Sequence, residues 1–244
     1  MKILYEPYLF DQFVVFDLET TGCNPERDQI IEIGAIKVKK GQIVSEYQQL
    51  VHPQMAIPSH ITEITGITNE MVYEQPHIHE VLPEFLVFCE SDYILGHNIL
   101  FDYKFIKYNV LRHQYTFEKK AFDTLKIARN FLKHLPSRSL GAICEYYSID
   151  HLHAHRALDD ARVTYEVFLK LKEQFFHQDP EIFNPQPINW EPKKLEPITI
   201  KQKNYLKNLL RMQKRQLDRD IEDLTKSEAS RWIDSLLREM RQAR

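Results

Sequence analysis

The sequence predicts an α/β domain with a mixed β-sheet, followed by a small C-terminal helical module. Three observations carry this. A strand and a hairpin come first, short strands then alternate with helical spacings to Phe176, and a proline-dense stretch precedes two further helical patterns.

QFVVFDLET, Gln12 to Thr20, reads as a buried strand, because its β-branched and aromatic run is short and ends at Thr-Gly. QIIEIGAIKVKKGQIVSEYQQLVHP alternates apolar and polar residues on both sides of Lys39-Lys40-Gly41, the pattern of a hairpin with glycine at its turn. YILGH is another short strand, ending at Gly96. In FDYKFIKYNVLRH the spacing becomes helical, with Phe101, Phe105 and Tyr108 on one side. Asp123-Thr124 can cap the helix LKIARNFLKH, SLGAICEYY forms a further helix, and ALDDARVTYEVFLKLKEQFF a long amphipathic one.

After Phe176 the character changes. Pro180, Pro185, Pro187, Pro192 and Pro197 fall within twenty-one residues, which predicts an extended linker stiffened by proline. TIKQKNYLKNLLRMQ and TKSEASRWIDSLLREM follow as helices, with Thr199 and Thr225 as N-caps and Gln202 and Glu228 completing capping boxes. The expected division is a domain over residues 1–176, a linker over 177–198 and a basic helical module over 199–244.

Composition narrows the class. The 244 residues allow one sizeable core and a small appendage, and 43% hydrophobic with 27% charged residues matches a globular chain rather than a disordered one. No run approaches the ~18 apolar residues of a membrane span. The start MKILYEPYLFDQFVVFD lacks the parts of a secretory signal. Cys23, Cys89 and Cys144 are odd in number and form no C-x-x-C pair, as expected of reduced thiols in a cytoplasmic protein with no membrane partner. The net charge of −3 hides an asymmetry: from Thr199 onward there are 12 Lys+Arg against 7 Asp+Glu, whereas the remainder holds 20 against 28. A basic tail on an acidic body points that tail toward polyanions, or makes it a solvated helical surface. Lys201, Lys203, Lys207, Arg211, Lys214 and Arg215 are its candidate phosphate contacts, and Trp232, beside Ile233, Leu236 and Leu237, is expected in its core.

FDLETTG sets Asp17 and Glu19 two apart on a strand, so both side chains project from one face. Two adjacent carboxylates at the end of an apolar strand raise each other's pKa, a penalty that a cation removes. GHNILFDYKFI brings Asp102 to the first turn of a helix, where stabilisation of the helix N-terminus is an equally good account of a lone acid.

HLHAHRALDDAR, His151 to Arg162, offers three alternate histidines and two adjacent aspartates. On the helix that starts near Ala157, Asp159 shares a face with Arg162, Glu166 and Lys170, whereas Asp160 lies beside Ala157, Thr164, Val167 and Leu171. Asp160 is therefore the inward aspartate. The histidines leave three readings: a zinc cluster of His151, His153 and His155, a plain polar loop, or one histidine poised over a neighbouring site. Zinc is the weakest, since tetrahedral closure needs ligands from several directions.

FDLETTG, GHNILFDYKFI and HRALDDA, in this order, resemble the three motifs of the DnaQ-like, DEDDh family of 3′→5′ exonucleases, to which proofreading domains of the DNA polymerase III epsilon type belong. IPSHITEITGITNEMV is similar to the family's segment leading into the substrate groove, and AFDTLKIAR to its Asp-Thr-Leu helix start. The resemblance covers about residues 10 to 175. It implies an RNase H-like fold and two divalent ions, Mg²⁺ or Mn²⁺, held by Asp17, Glu19, Asp102 and Asp160, with His155 as general base. The choice of His155 over His151 and His153 rests on the resemblance. Thr20 and Thr21 would contact the terminal nucleotide, and His97, Asn98 and Phe101 would shape its pocket. Two metals about 3.5–4 Å apart can activate water and hold the leaving oxygen, and hard oxygen ligands favour Mg²⁺ or Mn²⁺ over zinc. The implied substrate is a single-stranded or frayed 3′ end of DNA, released as nucleoside 5′-monophosphates, with RNA as the alternative. A proofreading role would need a DNA polymerase as a separate partner. A binding or polymerase-docking module without catalysis is the contrasting class, but all five candidate residues are present.

Overall fold

The computed structural model describes residues 12–152, 154–192, 196–217 and 220–242. They form two compact units, one reaching Trp190 and the other beginning at Glu191.

Alternation in β1 (Gln12–Thr20) sends Phe13 and Val15 to one face of the sheet and Val14, Phe16 and Leu18 to the other, all of them buried. β1 pairs antiparallel with β2 (Ile30–Lys39), which turns through left-handed Lys40 and Gly41 into β3 (Gln42–Leu50). Two short helices, α1 (Ser59–Thr65) and α2 (Asn69–Val72), close over a small cluster of Ile31, Ile57, Ile67 and Val72. Then come α3 (Ile78–Cys89), β4 (Tyr93–Gly96) parallel to β1, and α4 (Leu100–Arg112). β5 (Lys120–Asp123), parallel to β4, leads into α5 (Thr124–Phe131), α6 (Leu140–Tyr147) and α7 (Ala157–Phe175). β6 (Gln186–Pro187) closes the mixed sheet in the order β3-β2-β1-β4-β5-β6.

The core lies on both faces. α3 and α4 cover the side of Val14, Phe16 and Ile94, whereas α5, α6 and α7 cover that of Phe13, Val15 and Leu95. The hairpin therefore departs from an ordinary half-wet pattern. Every residue of β2 from Ile30 to Val38 is buried, Glu32 and Lys37 included, because both faces are covered. Asp123 caps α5 by accepting from the Leu125 and Lys126 N–H groups, as the sequence predicts. Among the described residues no helix is long and apolar enough to cross a membrane.

The expected linker needs correction over residues 177–190. Pro180 opens a 3₁₀ turn, Pro180–Phe183, that inserts Phe183 between Phe131, Phe168 and Phe176. Gln186 and Pro187 then pair with Ala121 and Lys120 at the sheet edge, where a missing proline N–H is tolerated. Ile188 and Trp190 pack against the opposite core. Apolar residues between the prolines make this stretch part of the first unit.

In the second unit α8 (Ile200–Met212) and α9 (Lys226–Gln242) pack through Leu206, Leu209, Leu210 and Leu236, with Leu224 from the preceding turn in the same core and Trp232 against it. Both capping boxes form: Thr199 with Gln202, and Thr225 with Glu228.

Candidate active site

Asp17 and Glu19 project from β1 toward the face that α7 covers, and their register partners on β2 are Gly34 and Glu32. Gly34 is required by a close approach. A Cβ there would lie 2.0 Å from the Leu158 nitrogen and 2.1 Å from the Ala157 carbonyl carbon, so the first turn of α7 rests on bare β2 backbone. That contact brings Asp160 to the strand, and one carboxylate oxygen from each of Asp17, Glu19 and Asp160 lies within 4.8 Å of the others. Asp102 enters from the first turn of α4. β1 runs past its pairing with β4 at Val15–Leu95, and there the Leu18 N–H donates to Asp102 Oδ1 at 3.1 Å.

Four acids thus converge at the carboxyl ends of the parallel strands β1 and β4, where ligands bind in open α/β sheets. Burial, then the charges of Asp102, Asp160, Glu19 and Glu32, push the Asp17 carboxyl well above the usual range. Glu19 is pushed up to about 8, by burial first and then by Asp160 and Glu32, with Arg156 opposing. Burial also raises Asp102 and Asp160; the Leu18 N–H opposes it at Asp102 and His151 at Asp160. A cluster that binds protons against water in this way offers a hard, all-oxygen seat for divalent cations.

Asp160 is buried and Asp159 pairs with Arg162 at the surface, as the helical faces predict. The histidines divide differently from expectation. His151 Nε2 lies 2.7 Å from Asp160 Oδ1, and the Arg156 N–H donates to Oδ2 at 3.0 Å. His155 is exposed on a left-handed turn (φ 66°), and His153 lies outside the described residues. Among the described residues the candidate metal-ligand group consists of carboxylates alone.

Sequence reasoning missed Glu32. Its carboxylate is wholly buried and accepts from Arg156 Nε and Nη2, the Ala157 N–H and the Gln48 amide. It ties the turn before α7 to β2. An acid inside the apolar run IIEIGAI was the available signal, since unpaired acids are almost never fully buried.

Thr20 and Thr21 are buried. The Thr20 hydroxyl donates to the Gly22 carbonyl at 2.6 Å, and Thr21 Oγ1 accepts from the Gln29 N–H at 2.9 Å, closing the loop after β1. His97 has both ring nitrogens engaged, Nδ1 with Thr124 Oγ1 at 2.9 Å and Nε2 with the Arg138 carbonyl at 3.0 Å, and burial lowers its pKa. Asn98 is exposed with φ 67°, its N–H bonded to Asp123. Phe101 is partly buried, its ring 5.2 Å from Phe105.

DNA polymerase III PolC-type of Thermotoga maritima is 48% identical over 162 residues, which are 66% of this chain and 12% of that protein. The chain thus spans about an eighth of the length of such PolC-type relatives. The DNA polymerase III subunit epsilon of Aquifex aeolicus is 41% identical over 165 residues, covering 67% of this chain and 82% of that one. In structure, the nuclease domain of 3'hExo, named as a DEDDh family member bound to rAMP, superposes with a TM-score of 0.60 at 20% identity, over 75% of this chain and 99% of that one. The shared fold is the RNase H-like mixed sheet. The model of the RNase_T exonuclease family matches residues 14–168, the span from β1 to α7 that assembles the acids, and the chain belongs to that exonuclease family.

Proposed function

We propose that this chain is a metal-dependent 3′→5′ exonuclease acting on single-stranded or frayed 3′ ends of DNA, in proofreading or repair. The observation that carries this reading is the convergence of Asp17, Glu19 and Asp160 within 4.8 Å, where burial raises each carboxyl above its usual range. Such donors fit two Mg²⁺ or Mn²⁺ ions, with Asp102 as the fourth ligand. Bound there, the ions would lower the pKa of water and stabilise charge on the leaving 3′-oxygen.

The protein's own groups do the rest. His155, on its exposed turn, takes the proton of the attacking water, an imidazole being a common general base. His151 and the Arg156 N–H orient Asp160, and Glu32 anchors Arg156. Asn98 and Phe101 offer a wall to the terminal nucleotide. Thr20 and Thr21, whose hydroxyls close their own loop, and His97, whose ring is fully bonded, shape the pocket from behind. The products are nucleoside 5′-monophosphates. The relatives named as a DNA polymerase III and as a DNA polymerase III subunit support a DNA polymerase as partner and a cytoplasmic site of action. The likeness to a nuclease domain bound to rAMP supports exoribonuclease activity as the second reading. In domain terms, residues 1–176 would carry the catalysis and 199–244 an accessory role.

The test follows 5′-labelled single-stranded DNA and RNA of one sequence on a gel, with Mg²⁺, Mn²⁺, Zn²⁺ or chelator. A metal-dependent ladder shortening from the 3′ end, absent in Asp160→Ala, is expected. The better substrate decides between the sugars. No degradation with any metal would sink the reading.

A further inference from the structure

Helix α8 buries Leu206, Leu209 and Leu210 in the core of the second unit. Its opposite face carries Lys201, Asn204, Tyr205, Lys207, Asn208 and Arg211, all exposed. At 3.6 residues per turn Lys201, Tyr205, Asn208 and Arg211 run as a stripe along the helix, about 15 Å from end to end at 1.5 Å per residue.

The face differs from an ordinary solvated one. Exposed helix faces commonly intersperse both signs, as α9 does with Lys226, Asp234, Arg238 and Glu239. α8 contains no acid from Ile200 to Met212. The neighbouring cations that serve the unit's own stability lie off this stripe: Lys203 pairs with Glu222, and Arg215 with Glu239. Lys201, Lys207 and Arg211 have no ion-pair partner among the described residues. Tyr205 stands among them 47% exposed, although the helix has apolar positions inside that a folding role would use. Unpaired cations call for an anionic partner, an exposed aromatic ring for a flat apolar one, and side-chain amides for hydrogen-bonding edges. A single-stranded polynucleotide combines all three, since its unpaired bases can stack while its phosphates meet the cations.

We propose that the outer face of α8 binds single-stranded polynucleotide, with Lys201, Lys207 and Arg211 on phosphates and Tyr205 stacked on a base. The proposal does not rest on the exonuclease reading, because binding is measured without hydrolysis.

The full chain in chelator is titrated against fluorescein-labelled oligo-dT and oligo-rU, each about twenty nucleotides long, by anisotropy across a salt series. Each contacted phosphate contributes about 0.7 to the salt slope on single strands, so Lys201→Gln/Lys207→Gln/Arg211→Gln should flatten it by about 2. Tyr205→Ala should weaken binding about fivefold or more, and Tyr205→Phe should retain it. Circular dichroism matching the parent chain confirms that these surface variants are folded. Binding of either oligonucleotide with these losses supports the proposal and identifies the sugar. It is overturned if neither binds, if the variants bind like the parent, or if poly-glutamate competes equally and Tyr205→Ala changes nothing. The last outcome would assign the face to an acidic protein.

Discussion

His151 Nε2 lies 2.7 Å from Asp160 Oδ1, so the histidine that touches the acidic cluster is a different one from the histidine that the motif designates. In the proposed mechanism the two imidazoles, four residues apart, separate into a positioning group and a base. His155→Ala should lower kcat about a hundredfold or more while leaving Mn²⁺ affinity, read by calorimetry, near that of the parent. His151→Ala should instead weaken Mn²⁺ binding about tenfold, because it frees the carboxylate that it orients. Exchange of these two phenotypes would reverse the roles.

Asp17 is held among four other acids. Asp17→Asn removes one charge from that repulsion while keeping the side chain's shape. The metal-free protein should melt at a higher temperature than the parent at pH 8, and the parent's stabilisation by Mg²⁺ should disappear. A lower melting temperature in chelator would show that the cluster is held together by something other than proton or cation uptake.

The same repulsion sets a pH dependence. Glu19 titrates near 8 when folded and, unfolded, at its ordinary value near 4.5. Between those values the folded chain holds the extra proton, so stability must fall as pH rises through the window, with the loss complete above about pH 8. Thermal melts in chelator should therefore decline across this range. With Mg²⁺ present the decline should flatten, because the cation replaces the protons. A metal-free chain that gains stability from about pH 5 to about pH 8 would contradict this account.

Gly34→Ala places a Cβ where the Leu158 nitrogen and the Ala157 carbonyl carbon already stand. Neither backbone can yield without moving α7, so the substitution should cost about 3 kcal/mol, at the upper end of overpacking. Activity should fall with it, since Asp160 rides on that turn. Urea unfolding at the parent's stability would show that α7 can shift at little cost.

Much of the site was legible because it is local. Asp17 and Glu19 share a face by strand periodicity, and Asp160 is the inward aspartate by helix periodicity, and both hold in the structure. β1, the hairpin, β4, α7 and both capping boxes follow from patterns of a few residues. α3 is not legible from pattern alone, with Pro83 inside it, and β5 is four residues long, too short for its alternation to register. The proline-dense stretch was misread because composition reports prolines and is silent on where Phe183 and Trp190 find a core.

By itself, then, the sequence determined which residue types the chemistry needs and on which face of each element they stand, since period 2 and period 3.6 are properties of the backbone alone. Only the tertiary structure decided that Gly34 lets α7 touch β2, that Glu32 and Arg156 lock that junction, and that His151 takes Asp160. These contacts join residues on separate elements, Glu32 and Arg156 lying 124 positions apart. No local pattern encodes such contacts: the free energy of a buried charge or a backbone approach depends on what the fold brings beside it.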